Sequence, residues 1–514
     1  MYQPLVLVRY GTDAQLDGLL LLAVNPGTGT LVFAGAHEAE YHVWLSLPGP
    51  QTFISQALQK LREMGFSSLS FSYLPPDSPL DWFDQSWERC AELRSVRRPL
   101  MQIADGKTVR QSLQKKSNKS RMSRLQRLGA VEFRQLHRPE ELDEYYDDII
   151  NFTDLRQGAI HNSYPFLSNS HKRPFFRKLL SKPQLMHVTV TTVGGKLAAA
   201  HIGFVNRNQL ILGIVCYSPL LSAHSPGKLH ILQLALLLGE QGIVGLDLTP
   251  GDSYKERFAT GSDQVYLLTL YFQWKPLLRR RIYLGIRKLL KGIASPVYLN
   301  RAVVDRIVNV GGQLREYGIV TTVLKLGRRT KLEIYSNRVL RCYRMGPREA
   351  AAVTCDLDFH KDQIAELLLY EKVNLEDRGK QQFLGNALEQ FENYGHVYTY
   401  VREGRLLHYS WLSFVSGFKA TDIGDRFEFP AGSVFLWDDY THPKGRGREL
   451  HEASLRYRLR DAASAPGIEH IFIHVLAENT PSQRNIEALG FQLYATLTRR
   501  IRFGRRKWEW NFAC

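Results

Sequence analysis

Between residues 433 and 491 the chain sets two acids, a cation-rich glycine loop and an Asn-x-x-Ser pair in an order that could do chemistry. Asp438 and Asp439 close an apolar stretch that reads as a buried strand, and either carboxylate could accept a proton there. Strand side chains alternate, so only one of the two is expected to face a cleft. Lys444-Gly445-Arg446-Gly447-Arg448 follows. Glycines without a Cβ let the backbone approach a ligand and turn successive N–H groups toward it. A helix is expected directly after this loop, and its free N-terminal N–H groups and dipole suit a pyrophosphate, with Lys444, Arg446 and Arg448 adding charge. Asn479 and Ser482 open a further helix beside the same place.

The elements that must hold these groups are legible. Leu455, Leu459 and Ala462 share one helical face, and residues 468–475 alternate as a strand does. The middle of the chain repeats the plan. Strands are expected at 186–192 and 196–204, turning at Gly194-Gly195, and again at 209–216. A loop then ends in Ser225-Pro226-Gly227-Lys228, an apolar helix stops at Gly242, and residues 243–248 form a strand running into Gly251-Asp252-Ser253-Tyr254-Lys255. Residues 53–61 read as a helix and 67–73 as an alternating strand, while residues 319–345 read as a small hairpin unit.

The order strand, glycine loop, helix, strand, Asn479-x-x-Ser482, Leu489-Gly490-Phe491 resembles the acyl-CoA-binding half of a GNAT N-acyltransferase. Residues 1–290 resemble the CelD/BcsL-type acetyltransferases of cellulose and exopolysaccharide biosynthesis, relatives of the FemAB-like transferases. The matching residues are Ala39-Glu40-Tyr41-His42-Val43-Trp44-Leu45, the basic helix ending Leu125-Gln126-Arg127-Leu128-Gly129, the Ser225-Pro226-Gly227 loop and Gly251-Asp252-x-Tyr254-Lys255-x-x-Phe258. The resemblance implies an α/β chain of tandem GNAT-like folds, with mixed, mostly antiparallel sheets flanked by helices. It divides as a partial unit at 1–105, a GNAT domain at 106–290, a connector at 291–344 and a second GNAT domain at 345–514. It also implies acetyl-CoA or another acyl-CoA as co-substrate, held by Lys444, Gly445, Arg446, Gly447, Arg448, Asn479 and Ser482, with Gly227 as the middle domain's counterpart.

Acyl transfer needs a proton acceptor, an oxyanion donor and fixed geometry. Asp438 or Asp439 is the candidate base in the last domain, against pairing with Lys444 or Arg446. In the middle domain Tyr254 and Lys255 are candidates to hold substrate oxygens while Asp247 or Asp252 takes a proton, against a helix-capping role for Asp252. His470 and His474 read as core or solvated. Four residues depart from the pattern: Pro226 and Pro443 each remove a donor, His442 stands where Arg or Gln is usual, and Ile486 where a general-acid tyrosine often sits. Ser482 and Tyr494 are the substitutes to test, against a leaving thiolate that needs no acid or a domain that binds without catalysing.

Five cysteines without C-x-x-C pairing argue against a disulfide framework or a metal site, and the N-terminus does not read as a signal peptide. A cytosolic protein is expected, with a peripheral place at the inner membrane face as an extension of its charge. The net charge of +17 calls for an anionic partner. Residues 107–128 carry eight Lys and Arg and no acid over a stripe of Met122, Leu125 and Leu128, and 279–291 form a second basic stretch. An anionic membrane surface or an acidic partner fits these better than nucleic acid, because stacking aromatics are missing from the first cluster. The leading expectation is an acyltransferase acting on an amine or hydroxyl of a small molecule or saccharide precursor. The alternatives are a FemAB-like transferase using aminoacyl-tRNA, and a non-catalytic regulatory or scaffold subunit of a polysaccharide synthase.

Overall fold

The computed structural model describes the chain except residues 1, 12–13, 36–37, 48–49, 104–105, 183, 252, 294–334, 356, 375–376, 415–428, 503–504 and 513–514. Asp252 and most of the 291–344 segment therefore lie outside the described residues. The chain divides into two compact units. Unit 1 comprises residues 1–106, 203–213 and 235–312, and unit 2 comprises 107–202, 214–234 and 313–514.

The strands in chain order are β1 (Gln3–Tyr10), β2 (Leu16–Asn25), β3 (Thr30–Phe33), β4 (Leu45–Ser46), β5 (Ser68–Leu74), β6 (Ala91–Gln102), β7 (Val131–Leu136), β8 (Met186–Val193), β9 (Lys196–Asn206), β10 (Gln209–Tyr217), β11 (Gly245–Asp247) and β12 (Gly261–Tyr271). They continue with β13 (Tyr335–Met345), β14 (His360–Lys361), β15 (Gly395–Arg402), β16 (Arg405–Phe414), β17 (Ser433–Thr441), β18 (His470–Leu476), β19 (Gln492–Arg502) and β20 (Arg505–Phe512). In unit 1 the order is β1-β2-β3-β5-β12-β6-β11, with residues 209–211 of β10 pairing parallel to β11 and β4 lying on β2. Its core gathers under the helix Pro50–Glu63, where Phe53, Ile54, Ala57, Leu58 and Leu61 meet Leu69 and Phe71 of β5. The helical and alternating spacing of those residues predicts this contact.

In unit 2, β7 pairs antiparallel with β8, and the C-terminal sheet runs β14-β15-β16-β17-β18-β13-β19-β20. The sequence reading makes residues 319–345 a small hairpin unit attached to the last domain, of which 319–334 lie outside the described residues. Tyr335–Met345 is instead a central strand between β18 and β19, because its apolar residues Leu340, Cys342 and Tyr343 are buried on both faces of the sheet. The same insertion occurs in unit 1, where β6 lies between β11 and β12. Each half thus has a parallel pair (β10 with β11, β17 with β18) followed by an antiparallel strand drawn from upstream in the chain.

The basic segment is not one helix but two, Lys107–Gln114 and Lys116–Gln126, because Lys115 adopts extended backbone between them. Leu125 is buried, whereas Leu128 stands in solvent, so the expected apolar stripe is shorter than its sequence suggests. The helix Trp274–Ile293 carries the second basic stretch. Within unit 2 the helix Lys380–Glu392 packs on Tyr146–His161 at Gly158, where a Cβ would lie 2.8 Å from Leu384 Cδ1. Among the described residues no helix is long and apolar enough to cross a membrane.

Candidate functional site

The pairing of β17 with β18 covers Ser433–Leu436 against His470–Ile473 and then stops. Beyond it the strands part, and a cavity of about 260 Å³ opens, lined by Trp437, Asp438, Asp439, His451, His474, Asn479, Ser482 and Ile486 among others. The parting has a local cause. Asp438 has φ +48°, and the register of β16 against β17 shifts between Tyr409 and Trp411, which marks a bulge. Both residues border the cavity, and their carboxylates turn to different partners, Arg378 for Asp438 and Arg458 for Asp439.

Neither acid pairs with Lys444 or Arg446. Arg378 donates to Asp438 over 2.6 Å, and Arg458 donates to Asp439. Arg458 is fully buried in the helix Leu450–Ser464, where its remaining N–H groups donate to the carbonyls of Trp411 and Ser454. His451, in the first turn of that helix, places Nε2 4.0 Å from the Asp439 carboxylate and also lines the cavity. That distance is too long for a hydrogen bond, but an imidazole facing a cleft can take a proton from an incoming nucleophile.

The loop after β17 divides its glycines between two tasks. His442 is buried, its pKa held down by that burial, and its Nδ1 accepts from the Lys444 N–H. The N–H groups of Gly445 and Arg446 donate to the carbonyls of His442 and Pro443. A Cβ on Gly445 would stand 3.0 Å from Leu450 Cδ1 and 3.1 Å from the Leu407 carbonyl, so Gly445 serves packing. Gly447 has φ +73° and open space around it. Among the described residues no acceptor within the protein takes the N–H groups of Gly447 or Arg448, and the helix N-terminus at Leu450 adds its own first turn.

Asn479 caps the helix Thr480–Ala488, its side chain accepting from the Ser482 N–H. Ile486 lines the cavity where the tyrosine would stand, and Ser482 lies on the same wall. Tyr494 does not line it. Its ring packs on Phe472 and Phe512 and under Arg344, so of the two substitute acids only Ser482 is placed for the task.

The middle loop is tighter. Ser225 is left-handed at φ +53°, and its carbonyl accepts from the N–H groups of Lys228 and Leu229, while Pro226 has none to give. A Cβ on Gly227 would meet the Tyr217 ring at 3.0 Å, so this glycine too serves packing. Tyr254 and Lys255 lie on a short 3-10 turn, Ser253–Arg257, rather than an α-helix. Lys255 Nζ donates to Thr249 Oγ1 over 2.7 Å and to the carbonyls of Thr249 and Pro250. Asp247 is buried, accepting from Tyr41 Oη at 2.6 Å, from Arg98 at 3.2 Å and from the Thr249 N–H at 2.9 Å. Burial raises its pKa, and the bonds from Tyr41 and Thr249 oppose that rise. No group of three or more His, Cys, Asp or Glu among the described residues is placed to hold a metal ion.

Residues 112–258 match the family model of the acetyltransferase (GNAT) domain. This segment is a GNAT acyltransferase domain. The match takes in the basic helix Lys116–Gln126, β7 to β11 and the Tyr254-Lys255 turn, and the parallel pair of the C-terminal sheet repeats the same GNAT-like plan. No curated protein matches the sequence. Among solved structures, a domain of a putative lysylphosphatidylglycerol synthetase from Agrobacterium fabrum shares 14% identity, with 51% of this chain and 83% of that chain covered at a TM-score of 0.36. FemX shares 8%, with coverage of 54% and 90% and a TM-score of 0.37. A tandem GNAT protein from the clavulanic acid pathway shares 14%, with coverage of 72% and 97% and a TM-score of 0.22.

Proposed function

We propose that the chain transfers an acyl group from acyl-CoA to an amine or hydroxyl, with the C-terminal GNAT-like domain binding the donor. The observation that carries this reading is the loop 442–449, which ends in unclaimed N–H groups at Gly447 and Arg448 beside the gap between β17 and β18. A pyrophosphate fits against those groups and the helix N-terminus, and the pantetheine arm enters the gap toward Asp439 and His451. His451 then accepts the nucleophile's proton. The departing thiolate has Ser482, not a tyrosine, as its nearest hydroxyl in the cavity wall. The middle domain, with its closed loop at Ser225, takes the acceptor or a different donor. An envelope or exopolysaccharide precursor as acceptor rests on the sequence resemblance alone.

Calorimetry with acetyl-CoA on the full chain tests the donor site. Gly447→Val should raise Kd at least tenfold while costing about 1 kcal/mol of stability for the left-handed backbone. Gly445→Val should instead unfold the loop. Equal Kd for wild type and Gly447→Val, or no binding by wild type, defeats the assignment.

The aminoacyl-tRNA reading has one observation in its favour, the exposed cations of Lys116–Gln126. Such a surface would bind at low ionic strength and release as salt rises toward 0.1 M, where the Debye length shortens to about 10 Å. A gel shift with tRNA beside cosedimentation with anionic vesicles, repeated with Lys115, Lys116 and Lys119 changed to Gln, separates the partners. Binding of neither at low salt leaves the cluster a solvated face.

A further inference from the structure

Residues 279–291, expected from their charge to meet an anionic partner, lie in unit 1 on the helix Trp274–Ile293, which begins just after β12 and packs on it. One side of this helix is tied down. Arg280 donates to both carboxylate oxygens of Glu92 on β6, at 2.9 to 3.1 Å, and Arg281 donates to the Arg89 carbonyl at 2.8 Å. Leu277, Arg280 and Leu284, three and four residues apart, are the half-buried side chains of that side.

A different side stands in solvent, and it is apolar. Trp274, Leu278 and Ile282 recur every four residues and so form one stripe along the helix, with exposures of 67%, 47% and 53%. Lys275 and Arg279, one position after Trp274 and Leu278, border the stripe on one side, and Arg281, one position before Ile282, borders it on the other. All three are exposed, and the Lys275 ammonium sits 5.8 Å from the centre of the Trp274 ring. From Trp274 to Ile293 the sequence has seven Lys or Arg and no Asp or Glu. An indole and two aliphatic side chains aligned in water are costly to leave bare, and the charge around them says what covers them. A second copy of the helix would set cation against cation. A nucleic acid answers the cations through its phosphates and gives Leu278 and Ile282 nothing to bury against. An anionic bilayer supplies both halves: acyl chains take the stripe, lipid phosphates meet the flanking cations, and an indole settles at the boundary between them. Among the described residues no helix is long and apolar enough to cross a bilayer, so the fit is to its surface.

We propose that unit 1 docks on the surface of an anionic bilayer through the helix Trp274–Ile293, which lies in the plane of the surface with Trp274, Leu278 and Ile282 inserted and Lys275 and Arg279 among the lipid phosphates. Arg280 stays with Glu92, and this ion pair fixes the roll of the helix, so that the stripe rather than the packed side is offered to the lipid. The surface shares no residue with the loop 442–449, and it stands whether or not the chain transfers acyl groups.

The test is cosedimentation of the full chain with vesicles of phosphatidylglycerol and phosphatidylcholine, against phosphatidylcholine alone. Lys115, Lys116 and Lys119 are changed to Gln throughout, which removes the other basic helix from the measurement. The chain should partition to the anionic vesicles about tenfold or more better than to the neutral ones. Leu278→Gln with Ile282→Gln, both at exposed positions, should lower that partition by about tenfold or more while the urea midpoint stays unchanged. Ile282→Gln alone carries the test if the pair does not fold. Trp274 reports insertion directly, since anionic vesicles should shift tryptophan emission to the blue, and Trp274→Phe should remove the shift. Partition that falls with salt but is unchanged in the double variant reduces the helix to diffuse charge and overturns the proposal. Failure to bind anionic vesicles overturns it as well. A dimer that the double variant splits assigns the stripe to a second copy, and tRNA binding lost in the same variant assigns it to nucleic acid; either result overturns the bilayer.

Discussion

Arg458→Met should cost about 3–5 kcal/mol of folding stability, the usual penalty for removing one partner of a buried ion pair. Arg458 is fully buried and answers three acceptors at once: the Asp439 carboxylate and the carbonyls of Trp411 and Ser454. Methionine keeps the unbranched apolar stem but ends short of the guanidinium, so the loss combines the stranded polar atoms with a small void. The double variant Asp439→Asn with Arg458→Met should recover part of the loss, because the amide carries no charge to strand. Urea denaturation of the wild type and the three variants measures the cycle. A single-variant loss below about 1 kcal/mol would show that water reaches Asp439 freely and that Arg458 does not hold the site.

Acid should destabilise unit 2 well before its carboxylates protonate. His201, His230 and His408 are fully buried, and burial holds each pKa down, with His187 adding to the effect on His201 and His230 and Arg458 adding to it on His408. His230, between the hydroxyls of Thr189 and Thr191, is lowered to about 3. The unfolded chain binds protons near pH 6.5 and the folded chain does not, so stability is complete above pH 6.5 and declines as pH falls toward the folded values. At pH 5 His230 alone accounts for about 2 kcal/mol, and His201 and His408 act in the same direction. Urea titrations at pH 8, 6.5 and 5 give the slope, which His230→Gln should flatten by one proton. A flat stability between pH 6.5 and 5 contradicts the assignment.

The duplicated plan was legible because its signals are local. The helix Pro226–Glu240, the strands on either side of Gly194-Gly195 and the Asn479 cap each show in periodicity or in a capping residue. What escaped was non-local. The partner of Asp439 is carried on the same helical face as Leu455, Leu459 and Ala462, and an arginine in such a stripe is a readable sign of a buried charge seeking a carboxylate. Its sequence separation of 19 residues did not suggest Asp439. Arg378, 60 residues from Asp438, meets its partner only through the tertiary fold, which side-chain periodicity does not encode. The bulge at Asp438 escaped for another reason, since aspartate tolerates the left-handed region without advertising it.

The upstream strands have a consequence for the order in which the molecule can assemble. β13 leaves the ribosome well ahead of β18 and β19, the two strands it joins, and β6 waits for β11 and β12 in the same way. Until those arrive, each of these strands has two unpaired edges and no sheet to enter, and pairing across such a separation closes a long loop before any contact repays it. A cut at residue 345 would therefore strip the last sheet of a middle strand, whereas one upstream of Tyr335 would keep it. For the same reason, a synthetic peptide spanning Tyr335–Met345, added to a fragment that begins after it, should compete for the slot between β18 and β19 and could be used to complement the fragment in trans.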